Sequence, residues 1–269
     1  MPELPEVETV RRGLLRLLGS DAAIVRVQAR RADLRWILPD FSVCAGLPIR
    51  SIQRRGKYLL WHLGDVVLLN HLGMSGSWRE LIGAAQTHDH VLLQLRDGRV
   101  LAYRDPRRFG MLDVVSVDAI DRHPRLVGLG PDPLDPAWTA ADLQRGLRGR
   151  RSAIKALLLD QRQVAGIGNI YAVEACFRAG IRPRRAAGRL RQAEIVALHA
   201  AIQAILQEAI SAGGSTTRDF VQAGGSSGYF QHAFQVYGRA RLNCLRCGSQ
   251  LRDTPVAGRQ TVWCPGCQK

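Results

Sequence analysis

Lysine is nearly absent from this chain. Only three of its 269 residues are Lys, at positions 57, 155 and 269, against 35 Arg. Glutamate is scarce too. There are seven, and Glu3, Glu6 and Glu8 fall in the first eight positions. No apolar run is read as long as the roughly 20 residues of a membrane span, so no transmembrane helix is expected. The N-terminus is acidic where a secretory or transit peptide would be basic, and a soluble cytoplasmic protein follows. Solenoid-type repeats are missing, which excludes an array architecture. In a chain of this size with six cysteines and no export signal, a disulfide scaffold is not expected.

What the chain has in excess is positive charge, a formal +15 and a pI near 10.7. Such a balance implies a polyanionic partner, most often nucleic acid. Part of it is a general preference for Arg. Against that background each Lys marks either a need for a compact, titratable ammonium or a chance survival. Apolar residues make up 46% of the chain, enough for one large domain or two ordinary ones.

The pattern along the chain changes once. Residues 5–18 place Val7, Val10, Leu14 and Leu17 on one helical face, with Gly19 as a stop. Short strand-like segments follow from about residue 20 to 117, punctuated by Gly, Asp and Pro. Near residue 130 "GLGPDPLDPAW" reads as a linker, and beyond it the pattern is helical. The fold class expected is α+β in two domains. An N-terminal helix and β-sandwich precede a helical domain that ends in a cysteine-rich hairpin. The boundaries are set at 1–131, 132–234 and 235–269.

Cys244, Cys247, Cys264 and Cys267 form two Cys-x2-Cys knuckles, the spacing of a four-thiolate zinc ribbon. Four sulfurs close the coordination sphere, so one structural Zn2+ is expected, with a β-hairpin between the knuckles. Cys44 and Cys176 stand alone in apolar surroundings and read as buried thiols. Gly166 and Gly168 precede a helix starting near Asn169. That is either an anion site at a helix N-terminus or an ordinary corner capped by Asn169. Met74 and Phe109, the latter beside Arg107 and Arg108, are either core residues or an apolar wedge that fills the hole left by an extruded base.

At the N-terminus, Glu3, Pro5 and Glu6 suit a helix start. They leave Pro2 unexplained. Removal of Met1 would free a secondary amine, and an α-amino group titrates near ~7.7–8.0. Such an amine can attack a sugar C1′ to give an iminium, with a carboxyl group beside it as acid or base.

Taken together, "PELPEVE", "RRGKYL", "HLGMSG", "DPRRFG", "GIGNIYA", "GYF…VYGR" and the terminal ribbon resemble the bacterial formamidopyrimidine-DNA glycosylase family, in the family's order and over essentially the whole chain. The resemblance implies a helix–two-turn–helix corner and a bifunctional glycosylase and abasic-site lyase acting on duplex DNA. Its substrates would be oxidised purines, and its products a gap with phosphate ends. It implies Pro2 as nucleophile and Glu3 as acid, supported by Glu6. Lys57 becomes a second-stage proton donor and Arg259 an aid to elimination. His71, His88, Arg107, Arg151, Lys155 and Asn169 become DNA contacts. Met74, Arg107 and Phe109 become a void-filling triad, and residues 224–230 a loop over the extruded base. Glu174 would face the lesion, and Arg151 stands where some relatives have Lys. A monomer is implied. The related endonuclease VIII type, acting on oxidised pyrimidines, is the nearest alternative, and Leu4 argues against it. A non-catalytic zinc-ribbon binder is the alternative from another class, and the Pro2–Glu3 pair argues against that.

Overall fold

The computed structural model describes residues 1–215 and 230–269. The chain divides into two compact units. One is Met1–Val127 with the segment from Ala212, the other Gly128–Ser211 with Phe230–Lys269.

In the first unit, helix α1 (Leu4–Leu18) starts at Glu3, whose N–H donates to the Glu6 carboxylate at 2.9 Å. Pro5 occupies the second helical position, where no intrahelical donor is needed. Val7, Val10 and Leu14 are buried as expected, and Leu18 joins them while Leu17 lies at the edge of the core. Gly19, at φ 72°, ends the helix with its N–H on the Leu15 carbonyl.

Eight strands follow: β1 (Ile24–Ala29), β2 (Ser51–Arg55), β3 (Tyr58–Leu63), β4 (Val66–His71), β5 (Ser77–Glu80), β6 (Asp89–Leu95), β7 (Val100–Arg104) and β8 (Met111–Ser116). They make two antiparallel four-stranded sheets, in the orders β1-β6-β7-β5 and β2-β3-β4-β8, which form a sandwich. Trp61, Trp78 and Tyr103 come from β3, β5 and β7 and stack at 5.1 Å spacings, tying the sheets through one aromatic column. Strands β2 and β5 carry sequences, SIQRR and SWRE, without an apolar run. They are strands because neighbouring strands complete their hydrogen bonds, not because of propensity.

The second unit holds α2 (Ala140–Leu147), α3 (Ile154–Leu159), α4 (Asn169–Arg178), α5 (Gln192–Ser211) and a hairpin of β9 (Arg252–Val256) and β10 (Arg259–Trp263). Thr139 caps α2 in a capping box with Asp142. Helix α5 corrects one expectation. It is 20 residues long, and an 18-residue window within it has a mean hydropathy of 1.3, long and apolar enough by length and composition to cross a membrane. Here it is a core helix. Ile195, Leu198, Ile202, Ile205 and Leu206 are buried. Its two Glu pair with arginines outside it, Glu194 with Arg185 and Glu208 with Arg178. Ala-rich spacing raises the hydropathy without lengthening the buried face.

Candidate active site and metal centre

The first unit gathers ionisable groups around the chain's start. Pro2 is buried. Glu3, Glu6 and Lys57 are 4%, 2% and 6% exposed. Lys57 is placed by the two-residue turn that joins β2 to β3. The terminal amine lies within electrostatic range of Glu3, Glu6, Lys57 and Arg107. Burial dominates and pushes its pKa below the ordinary value, while the two carboxylates pull the other way. With Met1 in place the Pro2 nitrogen is an amide.

Glu6 is fully engaged. One carboxylate oxygen accepts from the Ser215 N–H and hydroxyl, both at 2.9 Å, and the other from the Glu3 N–H. A carboxylate held by three donors is a fixed anchor. Gly214, at φ +78°, lets the chain pass: a Cβ there would stand 3.4 Å from the Glu6 side chain. Ser215 had no signal in the sequence, because a single Ser beyond a long helix is common.

Met74 and Phe109 sit on two loops locked together. Gly73, at φ +65°, packs against the backbone of Phe109, and a Cβ would meet its carbonyl carbon at 2.3 Å. The buried Asp105 carboxylate joins the loops. It accepts from the Ser75 hydroxyl at 2.6 Å and from the Gly110 N–H at 2.7 Å, while the Arg107 N–H donates to Ser75 Oγ at 3.1 Å. Arg108 takes a left-handed φ of 56° between Arg107 and Phe109. Such strain in a non-glycine residue is held in place by this network. Phe109 is 39% exposed rather than a buried aromatic, and Met74 is half-buried.

His71 packs on Tyr58 with ring centroids 4.8 Å apart, and its Nδ1 accepts the Gly73 N–H at 3.0 Å. Burial, then the charges of Lys57 and Arg125, lower its pKa to about 4. At neutral pH it is therefore an uncharged ring with its proton on Nε2, a donor but not a cation. His88 is half-buried, edge-on to His90, and its carbonyl accepts the Asp105 N–H.

In the second unit, Lys155 is buried on α3. Its Nζ donates to Thr261 Oγ1 at 2.5 Å and reaches the carbonyls of Arg259 and Gln260 at 3.4 Å. The Asn169 side-chain amide donates to the Gln260 carbonyl at 3.1 Å. The N-cap of α4 is Gly168, so Asn169 is the first helical residue rather than the cap. Both residues thus hold the strand that carries Arg259. Arg259 itself is exposed, directly after a two-residue turn in which Ala257 and Gly258 have φ of 50° and 68°, as a tight hairpin requires. Arg151 is exposed. Glu174 is 1% exposed, and its carboxylate accepts the N–H groups of Gln235, Val236 and Tyr237 at 2.7–3.0 Å. Burial raises its pKa against the effect of these three donors. It anchors the chain entering the ribbon. The segment 224–229 lies outside the described residues; Phe230 is buried against Tyr171.

The four ribbon cysteines bring their sulfurs within 4.8 Å of one another, with Cys244–Cys267 at 3.9 Å and Cys247–Cys264 at 3.4 Å. Sulfurs bound tetrahedrally at about 2.3 Å from one zinc stand about 3.8 Å apart, so the set fits a Zn2+. The Arg246 and Cys267 N–H groups donate to Cys244 and Cys264 sulfur at 3.4 Å, as thiolates favour. Cys44 and Cys176 are buried, and burial pushes their thiols up to about 11 and 12.

Comparison with known proteins shows the family to which the chain belongs. The family model for the formamidopyrimidine-DNA glycosylase N-terminal domain matches residues 1–112, and that for the H2TH domain matches 129–221. The chain is 46% identical over 272 residues to the formamidopyrimidine-DNA glycosylase of Bdellovibrio bacteriovorus, covering all of both chains. The crystal structure of the MutM (Fpg) protein of Thermus thermophilus matches with a TM-score of 0.89 and 42% identity, over 99% of this chain and 98% of that one. Wild-type Lactococcus lactis Fpg, 37% identical and matched over the full length of both chains, is solved with DNA containing N7-benzyl-Fapy-dG (TM-score 0.89) and with DNA containing an oxidised pyrimidine (TM-score 0.88).

Proposed function

Because the chain belongs to the formamidopyrimidine-DNA glycosylase family, we propose that it is a bifunctional glycosylase and abasic-site lyase of base-excision repair, excising oxidised purines from duplex DNA. The observation that carries this reading is the buried cluster of Glu3, Glu6 and Lys57 around the start of the chain, where Pro2 itself is buried. A secondary amine freed there would titrate near the ordinary α-amino range of ~7.7–8.0, which leaves a fraction neutral and nucleophilic at pH 7.

After loss of Met1, the Pro2 nitrogen attacks C1′ of the extruded nucleotide. The C1′–N bond to the base breaks, and the sugar ring opens as Glu3 protonates O4′. Loss of a C2′ proton sends its bonding pair into the iminium, and the enamine formed expels the 3′ phosphate from C3′; loss of the C4′ proton then drives cleavage of the C5′–O5′ bond, leaving phosphate on both ends. Lys57 moves protons in the later steps, and Arg259 assists the elimination. Glu6 keeps Glu3 in place. His71, His88, Arg107, Arg151, Lys155 and Asn169 serve the DNA backbone, the two buried or half-buried residues Lys155 and Asn169 by holding β10. Met74, Arg107 and Phe109 fill the vacated stack. Extruding the base costs a few kcal/mol, least for a damaged one. Cys244, Cys247, Cys264 and Cys267 would hold one structural zinc, which would fix the Arg259 hairpin.

Borohydride trapping tests this reading. Mature protein with duplex carrying 8-oxoguanine opposite C gives a covalent adduct, and Pro2→Gly gives none. A full adduct yield from Pro2→Gly would overturn the nucleophile assignment. A second substrate class, oxidised pyrimidines, is favoured by the complex of the Lactococcus relative. Cleavage of matched duplexes carrying one lesion or the other ranks the two.

A further inference from the structure

Beside Phe109 the first unit carries exposed side chains that the mechanism leaves unused. The Arg107 guanidinium lies 5.3 Å from the Phe109 ring centroid. Arg35 stands 5.8 Å from the same ring and 5.0 Å from the ring of Trp36. Arg125 comes to Trp36 at 4.7 Å. Cation, ring, cation, ring and cation follow one another in a row drawn from three separate stretches of chain. Trp36 and Phe109 are each 39% exposed, and the three arginines are exposed with them. At its far end Arg125 lies close enough to His71 and Tyr58 to act on both electrostatically, so the row runs from the wedge towards the N-terminal cluster.

The acids nearest in sequence do not neutralise it. Asp33 pairs with Arg31, and Asp121 with Arg55. Neither Arg35 nor Arg125 has a carboxylate within 4.0 Å among the described residues. Like charges in a row repel one another unless an anion lies along them. A guanidinium resting on an aromatic face is held in position while its N–H edge stays open for bidentate contact with a phosphate. A DNA strand supplies anions at regular spacing along one line.

We propose that Arg35 and Arg125, held in place by Trp36, are phosphate-contacting residues that extend the DNA-binding face of the first unit beyond the Met74–Arg107–Phe109 wedge. The proposal rests on the reading of that wedge as a DNA contact.

The test is equilibrium binding of the full-length protein to a duplex containing a stable abasic-site analogue, over roughly 50–300 mM KCl. Arg35→Gln and Arg125→Gln each weaken binding about 3- to 10-fold and flatten the plot of log K against log salt by about 0.9. Trp36→Leu keeps both charges, so it weakens binding with the slope unchanged. Arg107→Gln serves as the control. If Arg107→Gln flattens the slope while Arg35→Gln and Arg125→Gln do not, the proposal is overturned and the wedge reading stands. If none of the three changes the slope, both fall. A Trp36→Leu protein that binds like the wild type removes Trp36 from the arrangement.

Discussion

Each unit buries one lysine, and the two are used differently. Lys57 sits in a strand turn among groups that titrate, and its charge depresses both the terminal amine and His71. Lys155 is at least as deeply buried but meets neutral acceptors, Thr261 Oγ1 and the carbonyls of Arg259 and Gln260. Residue type and burial are the same. The neighbours decide whether the ammonium tunes chemistry or holds a scaffold. An Arg could not replace Lys155, because a planar fork cannot converge on acceptors clustered around one point. The same contrast holds between the sites. The first unit's cluster is built from carboxylates and a chain terminus, the second's from four cysteines that could hold a metal ion and a strand fastened by an ammonium and an amide.

The largest expected effect would confine damage to the second unit. Cys247→Ser should abolish metal binding, and structural zinc sites contribute about 10–16 kcal/mol of apparent binding energy at pH 7. Amide exchange across Arg252–Trp263 should rise while Trp61–Tyr103 stays protected, and lesion cleavage should fall at least ~100-fold. A hairpin still protected without metal would break the contrast between the units. Next comes the pair of lysines. Lys155→Met leaves buried acceptors without their donor and should cost about 2 kcal/mol in urea denaturation. Lys57→Met should change stability by less than about 1 kcal/mol yet reduce strand cleavage sharply. Equal losses of stability would show that both lysines are structural.

The smallest effect concerns His71. Its folded pKa, about 4, lies below the ordinary 6.5. Between those values the unfolded chain binds the extra proton, so stability rises with pH there and is lost as pH falls from 6.5 towards 4. Moving from pH 7 to pH 5 should cost the wild type about 1–2 kcal/mol more than His71→Gln, read from denaturation midpoints.

Much of this was legible beforehand where a pattern is local. The Val7–Val10–Leu14 stripe, the six apolar strands, the start of α4 at Asn169 and the two cysteine knuckles follow from periodicity or spacing. What escaped is what depends on distant partners. Strands β2 and β5 have too few apolar residues to announce themselves. Lys155 and Asn169, expected as DNA contacts, gave no sign of the bonds they make to β10. Nothing in the sequence announced the three backbone N–H groups of residues 235–237 that donate to the Glu174 carboxylate. Ser75, Asp105 and Ser215 gave no signal, since a short polar side chain in a loop is ordinary until its partner is known.

The sequence by itself determined the chemistry available. It placed a proline directly behind Met1 with scarce glutamates beside it, put four cysteines at zinc spacing, and supplied a large excess of Arg. These are properties of covalent order and need no fold to be read. Only the tertiary structure decided which ionisable groups share an environment. Electrostatic interaction and desolvation depend on distances through space and on the exclusion of water. Hence Lys57 meets the chain terminus, Lys155 meets a strand more than a hundred residues away, and Arg35 and Arg125 meet over one tryptophan.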